Sequence, residues 1–122
     1  MSEKTKAEIE AIVEQATGTD SHHETYSLPS YPVLTDGVLN VARTTECFWL
    51  IDLIYSHQIN QRLDKSFQVW KLQVSPKDHS AVVRRYNDQT LIVTQKIPYT
   101  DFPLDEIKLY LIDGVILLPS EY

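Results

Sequence analysis

Asp113-Gly114 sits between two apolar runs in the C-terminal stretch EIKLYLIDGVILLPSEY, residues 106–122. That pair suits a two-residue hairpin loop, whose central residues need positive φ. Such a turn pairs Ile112 with Val115 and Tyr110 with Leu117. With a period of two, Ile107, Leu109, Leu111, Ile116 and Leu118 share one face. Tyr110, Ile112, Val115 and Leu117 share the other. Both faces are apolar, so the hairpin either lies centrally in a sheet or offers one face to a second chain. A rival reading has Pro103 open a short helix, with Asp105 and Glu106 in its first turn. The hairpin is preferred.

The same period runs through FQVWKLQVS (67–75) and SAVVRRYNDQTLIVTQKI (80–97). The second reads as two strands around the turn-forming pair Asn87-Asp88. Leu91, Val93 and Ile97 are expected on one face, Ile92, Thr94 and Lys96 on the other, with Pro98 ending the strand. Before residue 59 the period is helical. Ile9, Ile12, Val13 and Ala16 recur at helical spacing, and Gly18 supplies a stop. Thr35 is a candidate N-cap for a helix reaching about Thr44, with Asp36 in its first turn and Leu34 placed to pack on Leu39. Thr44 or Thr45 can cap the next helix, CFWLIDLIYSHQ. On a helical wheel Thr45, Asp52 and Ser56 fall in one polar wedge, opposite Cys47, Phe48, Leu50, Ile51, Ile54 and Tyr55. As a strand the same residues would bury Asp52, so the helix is preferred. The expectation is an α+β fold, two or three N-terminal helices packed on an antiparallel sheet of about five strands. Residues 1–18 form an amphipathic helical extension, 19–32 a linker and 33–122 a single domain.

Charge and composition exclude several functions. The 122 residues suit one domain with a genuine core, and the net charge is −6. Residues 1–36 hold Lys4 and Lys6 against seven acids, so most of the negative charge is N-terminal. A field of that sign opposes nucleic acid, although a local basic patch can still bind it. No apolar run is long enough to span a bilayer, and the N-terminus lacks a signal core, which together predict a cytoplasmic protein. The single cysteine, Cys47, excludes an internal disulfide and a cysteine-built zinc site. Only three glycines occur, Gly18, Gly37 and Gly114, too few and too scattered for a phosphate-cradling loop.

The candidate site residues form three groups, none implying a cofactor. Asp52, His57 and Asp101 are the weak catalytic candidates, conceivable as a hydrolytic site if they meet in a cleft. The plainer reading leaves Asp52 in its solvated wedge and Asp101 or Thr100 fixing the turn before Phe102-Pro103. Arg84, Arg85, Tyr86 and Lys96 are the basic and aromatic cluster that could meet nucleic acid. On a strand, however, Arg84 and Arg85 point to opposite faces. Tyr110, Ile112, Val115 and Leu117 are the interface candidates. His22, His23, His57 and His79 show no metal-ligand spacing, so no metal site is expected.

The segments LTDGV (34–38), FWLIDLIYSHQ (48–58), FQVWKLQV (67–74), YTDFPL (99–104) and LLPSEY (117–122) resemble a small uncharacterised bacterial family, a domain of unknown function. The TDFPL…LLPSEY part is the most specific. Families of this kind are scattered among bacteria, plasmids and phage, so the resemblance implies an accessory role and assigns no residue a function. The resulting expectation is a small interaction protein that binds another protein through its sheet and C-terminal hairpin. It could act as a homodimer or, in a phage or plasmid, as an inhibitor of a host defence complex. The alternatives are a small hydrolase-like enzyme and a nucleic-acid-binding module.

Overall fold

A computed structural model describes residues 3–15, 22–24, 32–58, 67–87 and 89–122. In chain order the elements are α1 (Glu3–Gln15), β1 (His22–Glu24), β2 (Val33–Thr35), α2 (Asp36–Thr45), α3 (Phe48–Gln58), β3 (Gln68–Val74), β4 (Ala81–Asn87), β5 (Thr90–Ile97), β6 (Glu106–Ile112) and β7 (Val115–Leu117). A 3-10 turn, Pro119–Glu121, follows. The expected linker 19–32 lies outside the described residues except at 22–24 and 32. Gly18 and Asp88 lie outside them too.

The fold is α+β, but its sheet is mixed and wider than expected. Six strands, β2 to β7, are extended at one edge by the three-residue β1, in the order β1-β2-β7-β6-β3-β4-β5. Every neighbouring pair is antiparallel except β2 and β7, which run parallel with Val33 opposite Val115. The added strands are three residues each, too short to show a period of two. Nor do the helices form an uninterrupted N-terminal block. Strands β1 and β2 intervene between α1 and α2, and the 3-10 turn lies at the other end of the chain.

Strict alternation along β3 sets the layers. Gln68, Trp70, Leu72 and Val74 are buried, while Val69, Lys71 and Gln73 between them are half-buried. The hairpin turns at Asp113-Gly114, both at positive φ, and pairs Ile112 with Val115 and Tyr110 with Leu117. Its face of Ile107, Leu109, Leu111, Ile116 and Leu118 is the covered one, each residue at most 5% exposed. These side chains share a single core with Ile9 of α1, Val38, Val41 and Ala42 of α2, and Leu50, Ile51 and Ile54 of α3. Each buried Val, Leu or Ile among them contributes roughly 1.5–3 kcal/mol through burial. All three helices therefore cover the same face of the sheet. Among the described residues, no helix is long and apolar enough to cross a membrane.

Two local expectations change. Thr45 does not cap α3; it is the last residue of α2, where its hydroxyl donates to the Val41 carbonyl at 2.7 Å. The chain then reverses at Glu46, in the left-handed region at φ 57, and the Cys47 carbonyl accepts from the Leu50 N–H. On β5, a bulge opposite Arg85 and Tyr86 pairs Tyr86 with Leu91 but Arg85 with Val93. One extra residue sits between them, so Leu91 and Val93 lie on opposite faces.

The end of the chain is tied to the start of α2. Thr35 caps that helix, accepting from the Val38 N–H, and donates its hydroxyl to Glu121 Oε1 at 2.6 Å. The same carboxylate accepts from the Gly37 and Leu118 N–H groups. A negative charge is favoured at a helix N-terminus. A Cβ on Gly37 would come within 2.8 Å of Glu121 Oε1 and of Leu118 Cδ1, so only glycine admits this approach. Glu121→Ala should cost about 2 kcal/mol, read as a lower urea midpoint with an unchanged denaturant slope.

Candidate functional site

The face of the sheet away from the helices is lined by registered rows of side chains. Opposite pairings place Arg84 beside Lys71 and Lys71 beside Lys108, so three cations stand abreast on β4, β3 and β6. Thr94 continues that row on β5. The next row reads Leu91, Tyr86, Val69, Tyr110 and Leu117 across five strands. A third holds Lys96, Val82, Gln73 and Glu106. No described helix covers these rows.

The charges are partly engaged on the surface itself. Lys71 Nζ lies 3.1 Å from Glu106 Oε1, and the Arg84 guanidinium donates to the Gln73 amide oxygen. Glu106 is the one acid on strands β3 to β6, against Lys71, Arg84, Lys96 and Lys108 on this face. Glu10, Glu14, Asp36, Glu46 and Asp52 belong to the helical layer or the turn within it. Among the described side chains of the helical side these five acids stand against Arg43 and the buried Arg85, so the excess of negative charge lies there.

Aromatic contacts stiffen one end of the face. Tyr110 is tilted against Phe67, with ring centroids 4.9 Å apart, and meets Tyr122 edge-on at 5.7 Å. Tyr122 also meets Phe67 edge-on. Between Tyr86 and Tyr110 lies a depression of about 210 Å³, lined by those rings with Val69, Lys71 and Lys108. A second depression, about 280 Å³, lies between α1 and the start of β6. Glu10, Glu14, Asp105 and Glu106 line it with Val13 and Leu104.

Asp52, His57 and Asp101 line neither depression. Asp52 is exposed on α3, as is Ser56, one turn on. His57 Nε2 lies 2.9 Å from Gln95 Oε1, and its ring is 5.6 Å from that of Trp70. Asp101 is exposed, and it is the buried Thr100 whose hydroxyl accepts from the Phe102 N–H at 3.1 Å. His79 is exposed beside Tyr99; the side chains of His22 and His23 lie outside the described set. Among the described residues no three His, Cys, Asp or Glu side chains are grouped to hold a metal ion.

Arg84 and Arg85 separate as their alternation requires. Arg84 lies on the open face and Arg85, fully buried, on the helical side, donating to Asn87 Oδ1. Near it Gln58 and Gln68 exchange reciprocal amide hydrogen bonds, and Trp70 Nε1 donates to Gln68 Oε1 at 2.9 Å. This buried network satisfies polar groups that would otherwise cost about 1–3 kcal/mol each. Arg85 therefore leaves the nucleic-acid group, whereas Tyr86 and Lys96 stay with Arg84 on the open face. Lys71 and Lys108 escaped sequence reading. Each is one polar position in an alternating strand, and only register brings them together.

The family model of a family of unknown function, DUF6876, matches residues 7–122. The chain belongs to this family. Its match takes in most of α1 as well as the sheet. No curated protein and no solved structure matches the chain.

Three outcomes test this placement. Burial is the main cause pushing the Cys47 thiol above its ordinary range, so at pH 8 it holds less thiolate than a free cysteine. Its labelling by a disulfide reagent should be slow in the folded protein and fast in urea. Raising the pH through the ordinary thiol range should weaken the fold, because the unfolded chain ionises first. Asp52→Asn should shift stability by no more than about 1 kcal/mol in urea titration, the usual range for an exposed charge.

Proposed function

We propose that this is a non-catalytic binding protein whose working surface is the open face of the sheet and whose partner presents negative charge there. The observation that carries this reading is the row Arg84, Lys71 and Lys108, in direct register on neighbouring strands. Like charges placed opposite one another destabilise a sheet. Across two strand spacings, roughly 10 Å, all three lie within about the screening length of physiological salt. Glu106 offsets Lys71 in part, and an anion bound across the row relieves the remaining repulsion. Over so short a range these cations outweigh the overall charge of −6, whose acids in α1, α2 and α3 belong to the opposite layer.

The expected interface residues Tyr110, Ile112, Val115 and Leu117 continue the same face toward the hairpin. They are half-buried, and the surface they join is mixed, with cations and tyrosines interleaved. A mixed face of this kind suits a polar partner better than a purely apolar dimer interface.

The reading is tested on phosphocellulose at low salt. Wild-type protein should be retained despite its negative charge, and K71Q/K108Q should pass into the flow-through with an unchanged circular dichroism spectrum. Wild-type protein in the flow-through, or a double variant retained as strongly, would remove the proposal.

A further inference from the structure

We infer that the depression between Tyr86 and Tyr110 is a base-stacking subsite, and that the anion taken by the open face is single-stranded nucleic acid. This rests on the binding reading above and adds the chemistry of the ligand. Val69 forms the floor, since it is the register partner of Tyr86 on β4 and of Tyr110 on β6. The strand that carries each ring therefore runs about 4.8 Å to one side of β3. The depression, about 210 Å³, is lined by both rings and by Lys71 and Lys108. An aromatic wall and two ammonium groups thus meet in one small site.

The rows extend that pairing across the sheet. Tyr86, Val69 and Tyr110 form one row, and Arg84, Lys71 and Lys108 form the parallel row two residues along β4, β3 and β6. Two residues of strand span roughly 7 Å. A single strand laid across the sheet can set its bases on the aromatic row and its phosphates against the cations. Every base has a π-face, so stacking of this kind tolerates any sequence. Tyr110 is already held by Phe67 and Tyr122, which lowers the ordering cost of binding. Gln73, the nearest amide on the face, is occupied by Arg84. Among the described residues the lining thus offers mainly aromatic rings and positive charge.

A duplex keeps its bases stacked inside and offers this face phosphates alone. An acidic peptide would likewise use the cations and leave the tyrosine rings idle. The test is fluorescence anisotropy with a labelled oligothymidylate about a dozen nucleotides long, a fluorescent polyglutamate and a DNA duplex serving as comparison ligands. The oligothymidylate should bind most tightly, with affinity falling steeply as salt rises. Tyr86→Ala should weaken it at least about fivefold, Tyr86→Phe should not, and K71Q/K108Q should flatten the salt dependence. Polyglutamate bound as tightly as the oligonucleotide, with Tyr86→Ala silent, would overturn the base subsite while leaving an anionic partner in place. Equal affinity for the duplex would overturn it too. If no anion binds and phosphocellulose retention also fails, both readings fall.

Discussion

One-sided burial of the sheet is the constraint on which the rest depends. Alternation along β3 sends Trp70, Leu72 and Val74 into the core and leaves Val69, Lys71 and Gln73 on the other side. A slip of one residue would exchange those sets, burying a lysine and exposing a tryptophan, so register is strongly specified. Register on β3 in turn sets β4 and β6 beside it, and with them every row of the open face. The arrangement that stabilises the fold is also the one that composes the proposed binding surface.

The chain ends are drawn into this arrangement by polar contacts. Glu121 ties the C-terminal turn to the N-terminus of α2 through Thr35 and Gly37, and β2 runs parallel beside β7. A further bond, from the Ser120 hydroxyl to the Val13 carbonyl, brings α1 to the same corner. Residues more than 80 positions apart are thus joined beside β2 and β7. Tyr122, just beyond, reaches the aromatic group of Phe67 and Tyr110. A clamp that reads as stability alone therefore also places part of the proposed ligand surface.

Much of the fold was legible because periodicity reports burial directly. The hairpin at Asp113-Gly114, the strands around residue 87, the exposed Asp52 and the Thr35 cap all follow from local chemistry and spacing. The shortest elements were not legible, since three-residue β1 and β2 carry no period. The bulge on β5 was hidden for a related reason. An inserted residue looks the same in sequence as an alternating one until a partner strand reveals the mismatch.

Sequence by itself determined which residues alternate, where the chain turns and which faces are apolar, because those properties depend on neighbours a few positions away. Only the tertiary structure decided which strands lie side by side. Lys71, Arg84 and Lys108 come from three separate strands, and nothing local says that they stand abreast. Arg85 shows the same limit from the other side. It looks like the twin of Arg84 in sequence, yet the pleat carries it into a buried polar network with Asn87. Pairing is a long-range choice, because the strands that meet are distant in sequence and their register depends on which face is buried.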